Sequence, residues 1–398
     1  MLSTRRRVRP FVRPWLASLV TACAFTLVAG SAAALPSSNV DRALTAASAA
    51  TPHGDNAAPS GNRAIARYGA GYLARQIKAN GGYLAPFGTP DVGNTAYAVV
   101  ALTAAGVGRQ ASAMAITYLK TRVADGLVDS NGADDAGALA NVILAATAAG
   151  ESPRAFGGTA PVNNLVARLL GTKRPTGADR GLFGAAAPTY DGAFRQGLAL
   201  AALHGAGVPS SRVTTAVAWF EKQQCANGLW TSYRADTTTP CPAADPATFA
   251  GPDTNSTALA VQGLASYDSQ PRRTATLTTL AGIQSADGGF PFLAASGQTS
   301  DPNSTAVVIQ ALVATDAHPA SARWVKDGVT PYAALAAYQL GCSDTAADRG
   351  AYFFDSGTRA PDILATIQAV PAQIGAALPV AHQVLATATP TPTCPAAS

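Results

Sequence analysis

Charge is scarce in this chain: Asp, Glu, Lys and Arg together make up 13% of its 398 residues, against 48% hydrophobic ones. A composition so poor in charge needs a large shielded interior, and a double layer of helices whose inner members are buried on both sides is a fold that meets it. Beyond the first residues no run of about 20 apolar residues occurs, which leaves nothing to span a bilayer and predicts a soluble body with no stable membrane insertion. No Lys/Arg run with interleaved aromatics exists to hold nucleic acid. Histidine is reduced to His53, His204, His318 and His382, and no C-x-x-C pair is present, so a zinc site is not expected. Serine-hydrolase, thioester and phosphate-loop patterns are absent as well, and no cofactor is implied.

The N-terminus reads as an export signal. M-L-S-T-R-R-R-V-R-P is a cationic n-region, Trp15 to Gly30 an apolar h-region, and Ala32 to Ala34 an A-x-A cleavage site. The apolar run continues past Cys23, which argues against a lipoprotein box; Arg6-Arg7 leaves Sec and twin-arginine routes both open. Removing residues 1–34 takes away five arginines and no acid, leaving 23 basic residues against 23 acidic ones. The mature chain is therefore neutral, and secreted or held at the cell surface. Four cysteines then remain in an oxidising compartment, where disulfides are the default. Of three connectivities the preferred one joins Cys225 with Cys241 and Cys342 with Cys394, each pair lying within or just beyond one repeat.

The repeat is the strongest signal that is present. A helical stretch, a Gly-plus-aromatic loop and an acid-led opening into an alanine-rich run recur at roughly 45 to 60 residue spacing, giving six helical hairpins. The clearest copies run from Gln284 through Gly288 and Phe290 to Asp301, and from Gln224 through Gly228 and Trp230 to Asp253. A third runs from Gln76 through Gly81 and Tyr83 to Asp91; fainter ones lead to Asp134-Asp135, to Tyr190-Asp191 and to Asp362. In the first outer helix Ile65, Tyr68, Tyr72, Leu73 and Ile77 share one face, and Asn80-Gly81-Gly82 ends it. The second helix of each hairpin opens on an Asn or Ser taken as the N-cap, with the acid near the helix dipole. Asn255-Ser-Thr and Asn303-Ser-Thr are also glycosylation sequons, but their shared slot in the repeat favours capping. Residues 35–62 read as a flexible leader, 63–385 as the helical body and 386–398 as a Pro/Thr tail.

A-x-x-W-F-x-x-x-Q-x-x-x-G-x-W from Ala216 to Trp230 resembles the Q-W repeat of the squalene cyclase and terpene cyclase superfamily, and Gln284 to Phe290 resembles its weaker form. Protein prenyltransferase β subunits carry similar repeats, and the opening after Asp253 is also similar to the helical domain of intrinsic-factor and transcobalamin-type carriers. The resemblance implies an all-α, α/α toroid: inner helices forming a barrel, outer helices wrapped round it. It does not extend to the chemistry. The D-x-D-D acid of the cyclases is missing, leaving Asp134-Asp135 as the nearest pair, and the prenyltransferase zinc set is missing too. Tyr190 with Arg195 is the nearest approach to a polysaccharide-lyase centre, and no second domain follows to complete a cobalamin carrier.

The expectation is therefore a noncatalytic exported protein that binds a small molecule or a cell-surface protein partner at the barrel mouth. The mouth forms where the inner helices start, which nominates Asp91, Asn94, Tyr97, Asp135, Tyr190, Arg195, Asp253, Asn255, Asp301 and Asn303 as its lining. The alternative is a terpene-cyclase-like or polysaccharide-lyase-like enzyme with an unrecognised acid or base. A broad cavity with a desolvated carboxylate would favour it; a closed barrel would favour a structural or protein-binding module.

Overall fold

The computed structural model describes residues 58–395 except 186–190, 296 and 355–356. The segment expected to be an export signal, nearly all of the expected leader, Tyr190 and the last three residues lie outside the described residues.

Among the described residues, twelve α-helices alternate between two layers. The outer ones are α1 (Asn62–Ala79), α3 (Arg109–Thr121), α5 (Leu165–Gly171), α7 (Thr214–Lys222), α9 (Arg273–Ile283) and α11 (Pro331–Ala336). The inner ones are α2 (Val92–Ala105), α4 (Ala136–Ala149), α6 (Ala193–Gly205), α8 (Thr254–Ala265), α10 (Pro302–Ala314) and α12 (Ile363–Gln373). Each inner helix packs on the next, and α12 packs back on α2, so the inner layer is a closed ring; α1 lies against both α2 and α12 across the seam. This is an α/α toroid of six hairpins.

The two layers differ because their sequences do. Outer α1 buries one stripe, with Tyr72, Leu73 and Ile77 in the core as their spacing predicts, while Ile65 and Tyr68 stay half-buried and Ala66 and Ala70 take the tighter positions. Inner α2 is buried continuously from Thr95 to Ala105, and α10 from Pro302 to Leu312. Alanine and glycine let such helices approach closely. On α6, a Cβ at Gly197 would collide with the backbone of Leu259 on α8, and one at Gly263 would stand 2.6 Å from the Gly197 carbonyl oxygen. Both positions are held to glycine by this backbone-to-backbone contact.

Two side-chain devices recur at the hairpin turns. Gln224, Gln284 and Gln339 each donate their amide N–H both to a loop glycine carbonyl (Gly228, Gly288, Gly350) and to a carbonyl of the following hairpin (Pro271, Trp324, Ile65). In a D-x-x-x-T pattern, Thr95, Thr257, Thr305 and Thr366 accept the backbone N–H of Leu84, Trp230, Phe290 and Tyr352 at 2.9–3.0 Å. In the third hairpin Gln196 replaces threonine and brackets Phe183 through both amide atoms. Gln76 forms no such bracket among the described residues. Buried backbone groups that the loops would otherwise leave unpaired are satisfied in this way. A two-stranded ladder, β1 (Tyr352–Phe353) with β2 (Pro361–Asp362), closes the last turn.

Both disulfides form, Cys225–Cys241 and Cys342–Cys394. The second anchors a C-terminal strap. From Gly375 the chain crosses the C-terminal ends of the inner helices: Leu378 N–H donates to Gln262 of α8, Pro379 packs on Gly205, His382 meets the Ala148 carbonyl and Gln383 the Thr103 carbonyl. Ala386 and Ala388 then pair with the backbone of Gly106, Gly108 and Arg109, and Pro390 lies on Gly71. Residues 386–394 are thus seated on the toroid wall. No helix among the described residues is long and apolar enough to cross a membrane.

Candidate functional site

The inner helices all begin at one end of the ring, and the acids there act first on the backbone. Asp91, Asp135, Asp253 and Asp301 are the N-caps of α2, α4, α8 and α10, accepting from the N–H of Asn94, Ala138, Ser256 and Ser304 at 2.6–2.8 Å. Asp362 does the same for α12 through Ala365. The acid itself is therefore the cap. The Asn or Ser expected in that role lies two or three residues further on, inside the first turn, because the short Asp side chain reaches the N3 amide from the extended residue before the helix.

The third hairpin departs from this pattern. Its helix α6 is capped by Gly192, without a side-chain bond, and Asp191 is released for another use. Asp191 accepts from the Ala185 N–H at 2.6 Å and from Arg195 at 2.9 Å, and the other Arg195 nitrogen reaches Asp135 at 2.5 Å. All three side chains are largely buried. Burial pushes the Asp191 carboxyl up, and Arg195 opposes that shift. Asp191 belongs to the site although it was not among the nominated residues; its signal was an acid at the repeat slot four residues before an arginine. Asp134, by contrast, turns outward to Arg168 at 2.7 Å. The adjacent carboxylates Asp134 and Asp135 are thus neutralised by different arginines and do not form a proton-sharing pair.

Among the described residues, Asp253 and Asp301 have no cationic partner of this kind. Burial raises both to about 6, against the pull of the helix amides they accept from. Asn94 and Asn255 are half-buried at the rim. Asn303 is buried, with its Oδ1 unpaired among the described residues, which puts that sequon out of reach of a glycan. Tyr97 is buried, and burial raises its pKa, with Gln310 near enough to oppose the rise. These residues sit on α2 and α10, which are separated in the ring by α12. Gln310 donates to the Gln368 carbonyl on α12. Tyr97, Gln310 and Gln368 are all buried within the ring of inner helices.

Two cavities lie elsewhere. One, of about 20 Å³, sits between α8, α9 and α10 beside Trp230, Leu277 and Leu312, and has room for about one water. The other, of about 410 Å³, is on the outer wall. Neither is lined by a nominated mouth residue. The loops at the mouth do expose apolar side chains: Phe87, Phe249, Phe354 and Leu364 at 74%, 55%, 42% and 40%.

The architecture places the chain among α/α toroids, and solved structures agree. The unsaturated glucuronyl hydrolase from Bacillus sp. GL1, responsible for the degradation of glycosaminoglycan, superposes with a TM-score of 0.53 at 13% identity, over 78% of this chain and 96% of that one. An unsaturated glucuronyl hydrolase specific for heparin gives 0.53 at 13% identity over 78% and 95%. The type II terpene cyclase MstE from Scytonema gives 0.48 at 14% identity over 79% and 97%. At these identities the likeness concerns the fold alone. No family model and no curated protein sequence matches the chain.

Proposed function

We propose that this is an exported, noncatalytic α/α toroid that binds a macromolecular partner across the N-terminal end of its inner ring. The observation that carries the reading is the burial of Tyr97, Gln310 and Gln368 on the inner helices, at 7%, 0% and 5% exposure. A toroid enzyme needs a substrate-sized hollow beneath the helix starts, and side chains so well covered argue against one. The acids round it serve as caps or as partners of Arg195. Exposed Phe87, Phe249, Phe354 and Leu364 support a broad contact surface at the same end. Two disulfides and the cationic-then-apolar N-terminus support export.

The alternative, a cyclase-like or lyase-like enzyme, draws on the raised acids Asp253 and Asp301. Native mass spectrometry of the protein from its own culture supernatant separates the two. The binding reading expects a mass free of small molecules, together with crosslinks to a partner from positions 87 and 249. A co-purifying isoprenoid, corrinoid or sugar lost on denaturation would overturn it.

A further inference from the structure

The outer wall carries a second feature with its own chemistry. The cleft of about 410 Å³ has its floor on Val166, Leu170, Val208 and Pro209, between α5 and the turn from α6 to α7, and it is flanked by Arg154 and Arg212. Lys173 stands behind Arg212, its Nζ 2.7 Å from the Arg212 carbonyl oxygen. Burial lowers the Lys173 pKa, and Arg212 and Arg180 lower it further. In a mature chain whose basic and acidic residues balance, the stretch 154–212 holds seven Lys/Arg and two acids. Arg168 and Arg195 are paired with carboxylates. Asp179 accepts from Trp219 and Tyr233. No carboxylate among the described residues lies within ion-pair distance of Arg154, Lys173, Arg174, Arg180 or Arg212. Like charges held together without counter-charge raise the free energy of the empty surface, and a polyanion relieves it.

We propose that this cleft is an anion site for a ligand bearing at least two phosphate or sulfate esters, with Arg154 and Arg212 gripping the oxyanions and the ligand's carbon skeleton resting on the apolar floor. Guanidinium forks match such oxyanions in geometry as well as charge. The site is separate from the barrel mouth, so the mouth reading does not depend on it.

The test is titration calorimetry of the full mature protein with a sulfated polysaccharide in one arm and a polyglycerol phosphate in the other. Arg154→Ala/Arg212→Ala should weaken binding roughly tenfold or more, the worth of one lost charged hydrogen bond or two. Arg154→Lys/Arg212→Lys should keep part of the affinity, and raised salt should weaken the wild type. The arm that binds names the source of the oxyanion. Binding by neither polymer overturns the proposal, as does equal loss in the distant control Arg63→Ala/Lys222→Ala or unchanged affinity in the alanine variant. Should the alanine pair fail to fold, the exposed single change Arg212→Glu carries the same expectation.

Discussion

The side-chain amide of Gln339 donates to the backbone carbonyl of Ile65 at 2.9 Å, joining the sixth hairpin to the first. Gln224 and Gln284 make the same bond to the hairpin that follows each of them. At Gln339 the following hairpin is the first, so a local device becomes the closure of the ring.

Gln339→Ala should therefore cost about 1–2 kcal/mol, the worth of two half-buried amide bonds, and it should loosen the seam selectively. Hydrogen exchange is the direct readout: amides of α1 should open faster while those of α6 keep wild-type protection. Uniform acceleration would argue against a seam.

The Asp135–Arg195–Asp191 triad predicts strong context dependence. Arg195→Met leaves two buried acids without their cation and should destabilise by about 3–5 kcal/mol in denaturant unfolding. Adding Asp135→Asn and Asp191→Asn should recover most of that loss, since Asn retains the cap of α4. A triple variant no better than the single one would contradict the account.

Asp253 and Asp301 set a pH signature. In the unfolded chain they release protons near the ordinary 3.8, and in the folded chain near 6. The native state binds more protons between those values, so stability falls as pH rises from about 4 to about 6, on the order of 2–3 kcal/mol for each residue. Asp253→Asn/Asp301→Asn preserves both caps and should flatten that slope, as measured by unfolding midpoints across the window. A slope unchanged in the variant would show that other groups produce it.

The disulfides should differ in what they protect. Cys342–Cys394 closes a loop of 52 residues and Cys225–Cys241 one of 16. Chain entropy then predicts about 4 kcal/mol for the first and about 3 kcal/mol for the second. Cys394→Ser should expose the strap to limited proteolysis near Ala386, leaving the loop near Cys241 intact; cleavage near Cys241 first would refute the assignment.

Repetition made the architecture readable. A unit that recurs six times states its helices, its Gly turns and its acid-led starts redundantly, so even the weak copies at Gly181 and Gly350 fell into place. The cap assignment erred because Asp253-Thr-Asn-Ser offers four good capping residues in a row, and only backbone extension at Asp253 selects among them. Asp191 escaped notice because its role depends on Arg195 and on Asp135, 56 positions earlier, and no spacing rule links neighbouring inner helices. The burial of Tyr97 and Gln310 within one ring was equally hidden: they lie on inner helices at opposite ends of the sequence that flank α12, a relation set by ring closure. The strap was hidden by its composition, since a Thr/Pro sequence carries no periodicity to show that its backbone pairs with Gly106 and Gly108.

The seam also orders assembly in time. Gly69 and Gly71 of α1 are covered by Val370 and Pro390, about 300 residues later in the chain. As the polypeptide emerges from its N-terminus, the first helix of the described residues packs early on α2 and α3 but keeps its other face bare until α12 and the strap arrive. Contacts of such long sequence separation form slowly. A chain released before Pro390 would present that face to any chaperone or protease it met.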